Sequence, residues 1–274
     1  MSKFRIAILD MYNNSPNEGM RCIRQLLRRT EATYQVEFSV DTFNVRANNE
    51  VPGLDYDVYI SSGGPGSPLQ SDEPWEPLYF DFIDSLFAYN SSAERKKHLL
   101  LICHSFQLIS RHLGLGEVSK RKSTSFGVLP VHLTEAGHAD PIFAQLPEPF
   151  YAVDSRDYQL TDLYPERLAE LGVEILCLEK ERPHIPLARA VMALRFSPER
   201  VGTQFHPEAD GEGMLRYMLT HERKQQVITT YGEDKYHEMV HLLADPETIE
   251  VTESIIIPTF LQRALASLRE PALT

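Results

Sequence analysis

Cysteine is scarce in this chain of 274 residues: Cys22, Cys103 and Cys177 are widely spaced and odd in number. That argues against a disulfide framework and fits a reducing compartment. No stretch approaches the roughly 18 consecutive apolar residues of a membrane span. Met1-Ser2-Lys3 leads straight into the strand-like Phe4-Arg5-Ile6-Ala7-Ile8-Leu9-Asp10, without the apolar segment and cleavage site of a secretory leader. A cytoplasmic protein with no membrane partner is expected. Long basic tracts are also missing, and 27 Lys and Arg against 39 Asp and Glu leave a formal net charge of -12. Such a balance works against nucleic-acid binding, which needs clustered cations to displace counterions. The short cluster Lys120-Arg121-Lys122 reads as a solvated loop. No Cys-x-x-Cys or His-Glu-x-x-His pattern occurs, and His237 and His241 read as a surface pair, so neither a metal nor a cofactor is expected.

Apolar strand-like runs alternate with helical periodicity over most of the chain. That pattern predicts an α/β fold: a doubly wound, mostly parallel sheet with helices on both faces, flavodoxin-like, plus a C-terminal helical extension. Strands are expected near residues 4–10, 34–40, 56–61, 98–102, 174–178, 190–195 and 201–205. Met20, Ile23 and Leu27 form one helical stripe, and Phe82, Ile83, Leu86 and Phe87 another. A helix carrying Phe106, Ile109 and Leu113 should stop at Gly114. The division expected is a domain over 1–220 and a helical extension over 221–274. In the extension Tyr236, Met239, Val240 and Leu243 lie at helical spacing, Asp245-Pro246 suits a helix start, and a last helix is expected from about Pro258. These apolar stripes need cover from their own domain, a second copy in a homodimer, or an acceptor protein.

The chemistry concentrates in two fragments, Leu101-Ile102-Cys103-His104-Ser105-Phe106-Gln107 and Gln204-Phe205-His206-Pro207-Glu208. A cysteine at a sharp strand-to-helix turn stands clear of its own backbone, and the first helical turn aims N–H groups at its sulfur. A histidine at another strand end can accept its proton. Residues two apart in an extended segment face the same way, so Glu208 can orient His206. Taken singly, Cys103 reads equally well as a small buried hydrophobe, and His206-Pro207-Glu208 as a solvated turn. A third element shifts the balance: the apolar Asp57-Val58-Tyr59-Ile60 opens into Ser61-Ser62-Gly63-Gly64-Pro65-Gly66-Ser67. Such a loop can aim a backbone N–H at a developing oxyanion. Read as a phosphate cradle, it lacks the Gly-Lys-Ser/Thr of a P-loop.

These three motifs, in this order and at these intervals, together with Asp140-Pro141-Ile142-Phe143-Ala144-Gln145-Leu146-Pro147, resemble the class I glutamine amidotransferase domain over about residues 4–220. The resemblance implies a Cys103-His206-Glu208 triad and a thioester formed on the side-chain amide of glutamine. It further implies an oxyanion held by the N–H groups of His104 and Gly64, and substrate binding by Gln107. The family elbow reads Gly-x-Cys-x-Gly, whereas Leu101 and Ser105 stand here, and Phe106 replaces the usual His or Met. A family segment containing His appears as Val153-Asp154-Ser155-Arg156-Asp157.

The leading expectation is therefore an amidase that releases ammonia from glutamine, with any synthase that accepts the ammonia on a separate chain. A γ-glutamyl peptidase uses the same chemistry on a larger leaving group. A non-catalytic regulator that keeps the fold is the third reading. The small-molecule partner expected is glutamine or a γ-glutamyl compound.

Overall fold

The computed structural model describes residues 2–184 and 186–269. The first part of the chain alternates strand and helix: β1 (Lys3–Asp10), α1 (Gly19–Tyr34), β2 (Glu37–Asn44), the short α2 (Val45–Asn48), β3 (Val58–Ser61), α3 (Trp75–Ser92), β4 (His98–Ile102) and α4 (His104–His112). Then come β5 (Glu117–Leu133), α5 (Glu135–Ala139), β6 (Phe150–Thr161), α6 (Pro165–Leu171), β7 (Glu174–Glu179), β8 (Val191–Ser197) and β9 (Arg200–Thr203). Four helices follow: α7 (Gly211–Met218), α8 (His221–Tyr231), α9 (Glu233–Ala244) and α10 (Pro246–Arg269).

The nine strands form one sheet in the order β2-β1-β3-β4-β9-β8-β7-β5-β6. Pairing is parallel from β2 to β9 and antiparallel from β9 to β6, so a parallel core carries an antiparallel flank. Alternation along the parallel strands builds two apolar layers. Ile6, Ile8, Val58, Ile60, Leu100 and Ile102 face one side, where Met20, Ile23, Leu26 and Leu27 of α1 cover them. Leu9, Tyr59, Leu99 and Leu101 face the other, against Tyr79, Phe82, Ile83 and Leu86 of α3 and Phe106 and Ile109 of α4. Helices on both faces are thus a direct result of strands buried on both faces. Among the described residues no helix is long and apolar enough to cross a membrane.

The last helix joins the first of these layers: Ile256, Ile257, Phe260, Leu261, Leu265 and Leu268 belong to the same cluster as β1, β3 and α1. Thr252 Oγ1 donates to the Tyr151 carbonyl on β6 at 2.6 Å, and Arg29 on α1 pairs with Glu253 at 2.6 Å. A third cluster, Phe126, Val128, Val153, Met218, Val227, Tyr236, Met239 and Leu243, lies where α7–α9 cover the antiparallel flank.

Three expectations need correction. The strands β5 and β6 were not foreseen, and Lys120-Arg121-Lys122 lies on β5 rather than in a loop. There Arg121 is buried between Glu179, at 2.9 Å, and Gln159, at 2.6 Å. Polar strands buried through ion pairs lack the apolar alternation that marks a strand in sequence. The last helix begins at Pro246, twelve residues before Pro258, which sits inside it. The second strand starts at Glu37, because α1 runs on to Tyr34 and Gln35 turns the chain with φ 51°.

Phe260 is 2% exposed. Phe260→Ala is expected to lower unfolding free energy by about 3–5 kcal/mol, read from the midpoint shift in urea at constant slope; a loss below about 1 kcal/mol would show that α10 is not part of this core.

Candidate active site

The parallel strands β3, β4 and β9 end at one edge of the sheet, and the predicted residues gather there. Between β4 and α4 the chain turns on Cys103, which takes φ 47° and ψ -98°. A non-glycine residue at positive φ stores strain of order 1–3 kcal/mol and needs support. Two bonds supply it: the Cys103 N–H donates to the Thr203 carbonyl at 2.7 Å, and the Gln107 N–H donates to the Cys103 carbonyl at 3.0 Å.

Beyond β9, His206 is pinned by its backbone N–H, which donates to the Val153 carbonyl on β6 at 2.9 Å. Its Nδ1 lies 2.8 Å from Glu208 Oε1, and the ring lines the same cleft as Cys103. Burial alone would push the imidazolium pKa down. The Glu208 carboxylate and the Cys103 sulfur outweigh it and hold His206 well above its ordinary value. Glu208 is buried, and its Oε2 has no hydrogen-bond partner. The three predicted triad side chains are thus brought to one cleft.

The glycine loop closes over them. A Cβ on Gly63 would stand 2.7 Å from His206 Cε1, and one on Gly64 would collide with the Met11 carbonyl. Neither position admits a side chain. The Gly64 and His104 amides donate to no acceptor among the described residues, the latter as the first N–H of α4. The His104 ring is buried away from water, and its pKa is pushed down to about 3, chiefly by burial and then by Arg46 and Arg111. Gln107 does not line the cleft: its amide donates to the Tyr158 carbonyl at 3.0 Å and to Gln204 Oε1 at 2.9 Å.

Cys103, His206, Glu208 and Gly64 line a cleft of about 640 Å³. Tyr12, Met214, Tyr217 and Arg223 also line it and were not singled out in the sequence. Tyr12 follows β1, and its phenol is held well above its usual pKa by burial, Glu208 and Cys103. Its place just past the end of a parallel strand was the available signal. Gln204, inside a quoted motif but given no role, places Nε2 3.7 Å from Cys103 Sγ. Cys22 lines the same cleft, yet burial pushes its thiol up to about 12, so it stays protonated. Ser155 and Arg223 complete the wall. Among the described residues no group of three or more His, Cys, Asp or Glu side chains could hold a metal ion.

The family model for glutamine amidotransferase class-I matches residues 20–224. This chain belongs to that family. The solved glutamine amidotransferase of Thermotoga maritima superposes with a TM-score of 0.66 at 15% identity, covering 96% of this chain and 98% of that one. The glutamine amido transferase of Methylobacillus flagellatus gives 0.65 at 14% identity, over 99% and 97%. The glutaminase domain of Trypanosoma brucei CTPS with bound acivicin gives 0.56 at 15%, over 98% and 95%. At these identities the likeness concerns the fold. No curated protein matches the chain significantly.

How this amidotransferase tolerates its altered elbow is visible in the packing. Leu101 pairs with Gly202 across β4 and β9, and a Cβ on Gly202 would lie 3.3 Å from Leu101 Cβ and 3.0 Å from Phe106. Gly202 on the neighbouring strand leaves the room that Leu101 fills. Ser105 fills its own position with a polar tie: its hydroxyl donates to the Ser62 carbonyl at 2.7 Å and stands 2.7 Å from Ser61 Oγ, itself 2.9 Å from the Tyr79 hydroxyl. The elbow helix is thereby fastened to the root of the glycine loop.

Gly202→Ala should destabilise the amidotransferase by about 1–3 kcal/mol through overpacking, and Leu101→Ala in the same chain should recover part of the loss. Additive effects in a double-mutant cycle by chemical denaturation would rule out this compensation.

A pH dependence also follows. Burial pushes His98 down to about 4, beside His104 at about 3, so each stays neutral when folded. Between pH 6.5 and 5 the unfolded chain gains protons at both sites and the folded chain does not, so stability falls as pH falls, by up to about 1.4 kcal/mol per pH unit for each histidine. His206, shifted the other way, contributes fully below 6.5 and loses its contribution only as pH rises through its folded value. His98→Gln should flatten the acid slope in urea titrations; an unchanged slope would refute the assignment.

Proposed function

We propose that this amidotransferase hydrolyses the side-chain amide of glutamine through a thioester on Cys103, releasing ammonia. The observation that carries the reading is the meeting in one cleft of a strained Cys103, the His206 imidazole and a buried Glu208 carboxylate bonded to that ring. In this reading the Cys103 sulfur attacks the amide carbon while His206 holds the thiol proton. The N–H groups of His104 and Gly64 take the developing oxyanion. The tetrahedral intermediate collapses, His206 gives its proton to the departing nitrogen, and ammonia leaves a γ-glutamyl thioester. Water, deprotonated by His206, then attacks the thioester, releasing glutamate and regenerating the thiol. Glu208 orients the ring and stabilises its cationic form without taking the proton.

Gln107 is assigned a supporting role in the same scheme. Its amide fixes Gln204, which in turn faces the sulfur. All three cysteines are free, as a thiol mechanism in a reducing, cytoplasmic setting requires. Ammonia would pass to a synthase on another chain or be released outright. A non-catalytic regulator would have no use for the backbone strain at Cys103, which favours the enzymatic reading.

The second reading, a γ-glutamyl peptidase, is favoured by the cleft. Its wall continues from the triad to Met214 and Tyr217 of α7 and Arg223 of α8, giving room for a leaving group larger than ammonia.

Acivicin, bound by the T. brucei glutaminase domain, should label Cys103 in peptide mass spectrometry; labelling at Cys22 or Cys177 would overturn the nucleophile. Turnover should vanish in Cys103→Ala, fall about 10²–10⁴-fold in His206→Ala, and fall less in Glu208→Gln. Full activity in His206→Ala would contradict the scheme. Comparing glutamine with γ-glutamyl dipeptides separates the two substrate readings.

A further inference from the structure

Arg223 stands near the start of α8, and its guanidinium is fixed on three sides. Its Cζ lies 5.3 Å from the Tyr217 ring centre and 5.4 Å from that of Phe126, which itself stacks on Tyr231 at 4.4 Å. Nη1 donates to Gln226 Oε1 at 2.7 Å. The opposite edge is different: Nε is buried with no partner, and Nη2 donates to no acceptor among the described residues. With Nε closed to solvent, Nη2 is the donor left for a ligand oxygen.

The cleft around it offers no internal partner. Its two acidic residues are engaged elsewhere, Glu18 with Arg21 at 2.6 Å and Glu208 with His206 at 2.8 Å. Arg223 is the one Lys or Arg among the residues lining the cleft. In a chain of net charge -12, the one guanidinium of the cleft, held against two rings with a donor to spare, is the best place in it for an anion.

We infer that Arg223 is a specificity-determining residue that selects γ-glutamyl substrates by a free carboxylate remote from the scissile amide. The inference rests on the γ-glutamyl reading of the triad. Two carboxylates of such a substrate have the required chemistry: the α-carboxylate of the glutamyl part, and the C-terminal carboxylate of an amino-acid leaving group. Packing against Tyr217 and Phe126 holds the guanidinium in place before binding, so little side-chain entropy is lost when it engages. The carboxylate adds no chemical step; it fixes the substrate while Cys103 reacts, so its removal should appear in KM more than in kcat.

The probes are γ-glutamylglycine, the same dipeptide amidated at its C-terminus, and the same dipeptide amidated at the glutamyl α-carboxyl. Binding is measured by calorimetry on full-length Cys103→Ala protein, with and without Arg223→Gln, and turnover on the chain with Cys103 intact. One amidation should weaken binding ~10–100-fold, identifying the carboxylate read by Arg223, and Arg223→Gln should abolish that difference. Arg223→Lys, which keeps the charge but not the planar guanidinium held between the rings, should retain part of it. Equal binding of all three probes overturns the inference, as does an equal loss for all three in Arg223→Gln. If Arg223→Gln does not fold, the probe comparison on Cys103→Ala alone still decides. Carboxylate-dependent binding without turnover would sink the proposed hydrolysis and leave Arg223 as an anchor; turnover indifferent to both carboxylates would do the reverse.

Discussion

The left-handed turn at Cys103 is the constraint around which the rest of the molecule is arranged. A cysteine held at φ 47° must be supported from outside, and β9 does so through the Thr203 carbonyl. The same strand then runs on to His206. One strand therefore both supports the backbone of Cys103 and leads into His206, so neither can shift without the other. Across the site, β3 provides the glycines, and Ser61 and Ser62 tie that strand to Ser105 in the first turn of α4.

Packing beside the elbow shows how β4 and β9 approach with Leu101 ahead of Cys103. Gly202, paired with Leu101 across the two strands, has no side chain to oppose it, and a Cβ there would meet both Leu101 and Phe106. The room for a bulky residue in a motif is thus set by a partner far away in sequence.

Much of the parallel core was legible because its physics is local. His98–Ile102 is an uninterrupted apolar-rich run that ends on Cys103, and its extent matches the expected strand. The stripes of α1 and α3 are likewise one-dimensional patterns. The antiparallel flank was hidden because its burial depends on distant partners: Arg156 is buried against Asp154 at 3.0 Å, and Arg121 against Glu179 on another strand. Their charges read as solvent in sequence. At the site, the placing of Cys103, His206 and Glu208 followed from two short fragments. Tyr12 and Arg223 come from segments that carry no motif and meet only through the fold. Gln107 shows the limit in a different way, since a residue can occupy a motif position and still spend its hydrogen bonds behind the cleft.

The bond from Val153 on β6 to the backbone of His206 gives α10 an indirect hold on the chemistry, because Thr252 on that helix fastens β6 at Tyr151, two residues from Val153. A ribosome makes the elbow first, β6 next, His206 later, and α10 after all of them. Cys103 thus leaves the exit tunnel well before the strand that supports its backbone and the helix that braces the anchor of His206, so the cleft can be assembled only when the fold is almost complete.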